Sequence, residues 1–278
     1  MSTKKQRIDH ILKEWPFDPF AVNVRLIEDN SRMILQMRVD MGILQLEADG
    51  RPDGVKPHGA KTYYEFLKRK AKQNKEKFQL DEDHCVEIDR EFVQFYHRRV
   101  CWLQLKQFDR AVQDADHTLG LMDFCKEFSA DEEWTISHEQ YRPFVLYHRT
   151  QAAALSVLND DDSTDAAELA IEEVNSGLER MQDLFIEYDA EEQFEDDELV
   201  QRLIEFRQGL RTKYNVDSTL DERLLKAVAD EDYELAAELR DMITERDDFR
   251  MLENADYLDD DQNSPNEGSD DIDDSETT

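Results

Sequence analysis

Cysteine, glycine, proline and positive charge are all in short supply in this chain. Its 278 residues include 3 Cys, 8 Gly and 6 Pro, and 34 Lys+Arg face 67 Asp+Glu, for a net charge of −33. Each shortage excludes something. Cys85, Cys101 and Cys125 are odd in number, widely spaced and never paired as C-x-x-C. They supply neither a disulfide framework nor a zinc-type cysteine site, and they suit reduced thiols. The excess of acid argues against generic binding to a phosphate backbone, which needs basic surface, and against docking on an anionic membrane. No apolar run approaches the roughly 18 residues of a membrane span. The opening Met-Ser-Thr-Lys-Lys-Gln-Arg has no signal-peptide core, so a cytoplasmic location is expected. There is no G-x-x-x-x-G-K-[ST], no G-x-G-x-x-G and no G-x-S-x-G, so the common phosphate cradles and the nucleophile elbow are missing.

What is present is periodic. Ile8, Ile11, Leu12 and Trp15 fit a short amphipathic helix stopped by Pro16. The period then falls to two. Val22, Val24 and Leu26 alternate with polar residues up to the turn Glu28-Asp29-Asn30-Ser31. Met33, Leu35, Met37 and Val39 alternate with Gln36, Arg38 and Asp40. Gly42 interrupts, as a bulge or a second turn, before Ile43-Leu44-Gln45-Leu46 resumes. A dense turn signal follows at Gly50-Arg51-Pro52-Asp53-Gly54. Two or three antiparallel strands in a small meander are expected over residues 1–59.

Residues 60–214 are expected to be helical. Residues 61–78 carry Tyr64, Phe66 and Leu67 and then a basic run, Lys68-Arg69-Lys70 with Lys72, Lys75 and Lys77. The run suits an acidic partner, nucleic acid included, or else a solvated face offsetting the chain's own acid. The latter is the expectation. A weak internal repeat follows. Tyr96-His97-Arg98 and Tyr147-His148-Arg149 each open a helical segment. The segments leading on from them are residues 108–119 and 167–178, and the second unit carries an acidic insertion, Asn159-Asp160-Asp161-Asp162-Ser163-Thr164. With Phe108, Ala111 and Ala115 the first unit resembles a tetratricopeptide repeat. It departs from that family at Arg99, where a small residue is usual, and in lacking a closing proline. Such hairpins stack to bury a shared core and often present a groove. Residues 194–214 read as a further helix, with Leu199, Leu203, Phe206 and Leu210 on one face.

Candidate chemistry is sparse. Asp81-Glu82-Asp83-His84-Cys85 gathers possible metal ligands without a zinc-like spacing. Glu191-Glu192 with Glu195-Asp196-Asp197 lacks the turn glycine and spaced oxygens of a calcium loop. His97 and His148 read as hydrogen-bonded packing histidines. No metal, no cofactor and no catalytic residue is assigned.

The most informative stretch is residues 219–250. Thr219 with Glu222 forms a capping box before an apolar run. Leu220, Leu224 and Val228 mark one helical face. Asp230-Glu231-Asp232 suits capping of a second helix beginning near Tyr233, which carries two stripes. Tyr233, Ala236, Ala237, Arg240 and Ile243 form one; Leu235, Leu239 and Met242 form the other. Two short helices bury too little surface to stand alone, so one stripe closes the hairpin and the second faces something else.

This run closely resembles the UVR motif, the helical hairpin shared by UvrB and UvrC excision-repair proteins, Clp-type ATPases and McsA-type regulators. The match rests on Asp232-Tyr233-Glu234, Ala236-Ala237, Leu239-Arg240-Asp241 and Ile243. The resemblance implies docking or dimerisation rather than catalysis, with a Clp-type ATPase, an excision-repair protein or a second copy as partner. The zinc-binding cysteine pairs of McsA-type proteins are missing. Beyond Arg250 no Lys or Arg occurs, and 251–278 reads as a disordered acidic tail.

The expected protein is therefore mainly α: tetratricopeptide-like helical hairpins, a small N-terminal antiparallel β-meander, a UVR-like hairpin over 217–250 and the acidic tail. It is expected to be a non-enzymatic adaptor that binds a partner through Leu220, Leu224, Tyr233, Ala236, Ala237, Leu239, Arg240 and Ile243. The alternatives are an excision-repair protein contacting DNA and a metal-dependent enzyme of unfamiliar type.

Overall fold

The structure is a computed structural model that describes residues 8–30, 32–73, 78–158 and 163–260, with side chains described as far as 248. The opening segment before Ile8, residues 159–162 of the acidic insertion, Lys75 and Lys77 of the basic run, and residues 261–278 of the expected tail lie outside the described residues, while Ser163 and Thr164 of the insertion cap and open the helix Thr164–Glu187. The chain divides into two compact units, residues 1–217 and 218–278.

The first unit opens with α1 (Asp9–Glu14) and the strands β1 (Asn23–Asp29), β2 (Arg32–Val39) and β3 (Gly42–Glu47). They form one antiparallel sheet in the order β1-β2-β3, with Leu26 opposite Leu35 and Leu35 opposite Leu46. The interruption at Gly42 is a second turn rather than a bulge, because Val39 pairs directly with Gly42. Alternation delivers Leu35 and Met37 to one face, as the period of two requires. The polar face is covered as well. Arg25 donates to Gln36 Oε1 at 2.9 Å, Gln36 donates to Gln45 at 2.9 Å, and the Arg25 guanidinium lies 4.4 Å from the Trp15 ring centre. Arg38 is buried and donates to the carbonyls of Trp15, Asp40 and Gly42.

Seven helices complete the unit: α2 (Tyr63–Gln73), α3 (Glu82–Gln104), α4 (Phe108–Phe128), α5 (Glu132–Glu139), α6 (Arg142–Val157), α7 (Thr164–Glu187) and α8 (Glu198–Tyr214). The hairpin α3–α4 stacks on α6–α7 through α4 and α6, and α8 closes against α7. Tyr96 and Tyr147 do not open helices. Each sits inside one that begins earlier, at Glu82 and Arg142, since Asp81 caps α3 and Pro143 occupies the first turn of α6.

The expected division at residue 59 crosses a continuous core. Leu35, Met37, Leu46 and Ala48 of the meander share one apolar cluster with Cys101 and Trp102 of α3, Ala111 of α4 and Ala152 of α6. The apolar face of the meander is thus buried against helices, which adds to its stability. A second cluster joins α6, α7 and α8 around Ile171, Val174, Met181 and Leu203. There Gly177 lets α6 approach closely: a Cβ at this position would lie 2.1 Å from Thr150 Oγ1.

Four helices stop without glycine. Lys106, Asp189, Asn215 and Glu231 all have φ between 52° and 59°. In each case the next residue's N–H returns to the carbonyl five residues back, as in Gln107 to Trp102 at 2.9 Å and Asp232 to Ala227 at 2.8 Å. This is the Schellman arrangement, built on residues that tolerate the left-handed region less readily than glycine does.

The second unit is the hairpin α9 (Leu220–Ala229) and α10 (Tyr233–Asp260). The helix α10 continues ten residues past the expected end at Arg250, because residues 251–260 contain neither Gly nor Pro to stop it.

Candidate functional site

The hairpin α9–α10 is built from its caps inward. Thr219 Oγ1 accepts the Glu222 backbone N–H at 3.3 Å, and Glu222 Oε2 accepts the Thr219 N–H at 3.1 Å, which completes the capping box. Glu231, at φ 59°, turns the chain, and Asp232 Oδ1 accepts the Leu235 N–H at 3.2 Å at the start of α10. The short acidic run thus caps the second helix, where a carboxylate also favours the helix dipole.

The interior consists of Ala227, Ala236 and Leu239, with Leu220 and Leu224 packed against them. This corrects the expected faces. Ala227, not Val228, continues the stripe of Leu220 and Leu224. At about 100° per residue, position i+7 falls within roughly 20° of i, whereas i+8 is about 80° away. The same spacing joins Ala236, Leu239 and half-buried Ile243 on α10, so Leu239 belongs with the alanine stripe rather than with Leu235 and Met242. Leu239 is 1% exposed.

The eight expected contact residues therefore separate into two groups. Leu220, Leu224, Ala236 and Leu239 form the hairpin's interior. Tyr233 and Arg240 are exposed, and Ala237 and Ile243 are half-buried. Apolar residues outside that set are also exposed: Leu225 at 69%, Val228, Leu235 and Met242. Leu225 and Val228, three residues apart on α9, lie outside the expected contact set, although Val228 was expected on the same face as Leu220 and Leu224. Charge across the hairpin is carried by Arg246, whose guanidinium lies 3.8 Å from Asp221.

One comparison with known proteins bears on this geometry. Residues 218–245 match the family model for the UvrB/uvrC motif. The chain carries a UVR motif. The match begins just before the cap Thr219 and ends just past Ile243, within α10. No curated protein and no solved structure matches the chain.

Elsewhere the candidate groups are held in structural roles. No cluster of three or more His, Cys, Asp or Glu side chains able to hold a metal occurs among the described residues. Asp81 caps α3 by accepting the His84 N–H at 2.9 Å, and His84 Nε2 lies 2.8 Å from Lys70 Nζ. Burial, followed by the neighbouring Lys70 charge, lowers the His84 pKa. Asp197 caps α8. Of the basic run, Lys68 lies over the Tyr64 ring at 4.2 Å and Lys70 contacts His84, so two of its cations are engaged with their own domain. Burial raises the Cys101 thiol to about 12 and pushes Cys125 higher still, which makes both poor nucleophiles.

The expectation for His148 needs correction. Its Nδ1 is buried without a hydrogen-bond partner, and burial holds the ring neutral with a pKa of about 4. It packs against Phe144, with the ring centres 4.1 Å apart and the rings tilted by 52°. His97 is half-buried, and its pKa is lowered for the same reason. No helix among the described residues is long and apolar enough to cross a membrane.

Proposed function

We propose that this protein is a non-enzymatic docking protein whose UVR hairpin binds a helix or hairpin of a partner. One observation carries the reading. A two-helix unit has closed its own interior with Leu220, Leu224, Ala227, Ala236 and Leu239, yet keeps Leu225, Val228, Tyr233, Leu235 and Met242 exposed. Scattered apolar side chains are ordinary on a surface, but five on so small a unit amount to an unfilled contact. Tyr233 would anchor the contact, since aromatic side chains dominate such interfaces. Arg240 and the surrounding acids would set register and partner choice. By its resemblance to the UVR family, the partner would be another UVR-bearing protein of the Clp-ATPase or excision-repair kind, or a second copy of this chain.

The test uses the full chain and a Leu225→Glu/Met242→Glu double variant, both checked for retained helix by circular dichroism. Light scattering during gel filtration reads self-association, and affinity capture with identification of the retained proteins reads hetero-association. Loss of a dimer, or of a specific retained protein, in the double variant supports docking. A double variant that matches the parent in both assays refutes it.

A further inference from the structure

A cavity of about 630 Å³ opens between α3, α4, α5 and α6 in the first unit, apart from the UVR hairpin. Its walls are apolar: Phe92, Val93, Tyr96, Met122, Tyr141 and Phe144. Val93, Tyr96 and Tyr141 are exposed and stand where solvent enters. The volume lies within the roughly 300–1,000 Å³ of pockets that take small molecules.

One cation lines this apolar space. Arg99 is 1% exposed. It donates from Nη1 to Thr118 Oγ1 at 3.1 Å, and Thr118 lines the same cavity. Its Nε has no hydrogen-bond partner. The nearest candidates for neutralising it are otherwise engaged. Asp114 holds Arg98 through both carboxylate oxygens, and Asp89, at the cavity, accepts from Trp134 Nε1 at 3.0 Å and pairs with His138 Nε2 at 2.9 Å. Neighbouring His148 has its own orphan Nδ1 and carries no negative charge to offer. A guanidinium buried with an unmade hydrogen bond and no ion pair of its own is costly, and an anion would remove that cost.

We infer that this cavity binds a small monocarboxylate with an apolar body, its carboxylate set against Arg99 and its hydrocarbon against Phe92, Met122 and Phe144. The chemistry selects this class. One guanidinium matches one carboxylate through paired N–H···O bonds, and Thr118, whose hydroxyl donates to the Asp114 carbonyl at 2.8 Å, holds the guanidinium in place. A polyanion would meet Asp89 at the opening and a strongly acidic chain around it. An uncharged apolar molecule would leave Arg99 as it is. Burial lowers the Arg99 pKa only to about 10, so the cation is present at neutral pH.

The experiment titrates octanoate, octan-1-ol and octylamine into the full chain by calorimetry, with Arg99→Met and Val93→Trp variants in parallel. Arg99→Met keeps the apolar stem and removes the charge; Val93→Trp fills the mouth from an exposed position. The expected result is saturable binding of octanoate at one site, weaker by about tenfold or more for the alcohol and in Arg99→Met, as loss of a charge-assisted hydrogen bond implies. Val93→Trp removes binding, and it alone decides the matter if Arg99→Met fails to fold. Equal binding of octanoate and octan-1-ol overturns the inference. So does unchanged binding in both variants, or no octanoate binding at millimolar concentration. A short N-acetylated apolar peptide with a free C-terminus that binds tenfold more tightly than octanoate also overturns it, by assigning the cavity to a chain terminus.

Discussion

Arg98 of α3 and Asp114 of α4 form a buried two-pronged ion pair, Nε to Oδ2 at 2.9 Å and Nη2 to Oδ1 at 2.7 Å, with each side chain 5% exposed. The remaining Arg98 nitrogen donates to the carbonyls of Glu47 and Gly50, so one guanidinium joins the end of the meander to the first helical hairpin. Removing Asp114 leaves a buried charge without its partner. Asp114→Ala is expected to cost about 3–5 kcal/mol, read as a fall in the urea midpoint of the first unit. A cost under about 1 kcal/mol would mean that Arg98 reaches water.

Gly177→Ala separates packing from propensity. In an exposed helix this change stabilises by about 1 kcal/mol. Here the new methyl would meet Thr150 at 2.1 Å, and α6 and α7 would have to part. A net loss of about 1–3 kcal/mol is expected, with much of it recovered in the Gly177→Ala/Thr150→Ala double variant. Thermal unfolding of the single and double variants measures it.

Acid sensitivity follows from His148. Its pKa falls from 6.5 in the unfolded chain to about 4 in the fold, so between these values the unfolded state binds the extra proton. Stability therefore falls as pH drops from 6.5 towards 4. His84 and His97 shift in the same direction and contribute to the same slope. Chemical denaturation at pH 7 and pH 5 should show a smaller drop for His148→Asn than for the parent. An equal drop would assign the slope to other groups.

Within the hairpin, interior and exterior leucines should behave oppositely. Leu239→Ala removes the central buried side chain and is expected to cost about 2–5 kcal/mol, more than two helices can spare. Helix content of the second unit should fall while the first unit's unfolding is unchanged. Leu225→Ala, at an exposed position, should leave the fold alone and weaken docking.

Salt distinguishes the possible partners. Acidic residues outnumber basic ones in the hairpin, so a second copy brings like charge to the contact. Self-association should tighten as salt rises, because screening relieves repulsion. Docking to a basic surface should weaken over the same range. Sedimentation at low and high salt gives the sign.

Much of this was legible in the chain because it rests on local chemistry. The alternation Met33, Leu35, Met37 fixes a strand, and Thr219 with Glu222 fixes a helix start. Helix stops were less legible. Lys106, Asp189, Asn215 and Glu231 enter the left-handed region without the glycine that normally announces it. Which stripe of α10 turns inward was also hidden, because Ala236 and Leu235 are both apolar and adjacent. Only the position of α9 decides that Ala236 is covered and Leu235 is not.

By itself, then, the sequence determined the period of each segment, the capped hairpin and its UVR character, and a net charge of −33. Those are properties of neighbours within a few residues, or of composition. Tertiary structure alone decided that the meander shares a core with α3, α4 and α6. It alone brought Asp114 to Arg98 while leaving Arg99, one residue on, facing an apolar cavity. Successive helical positions point about 100° apart, so two identical residue types in a row met opposite surroundings.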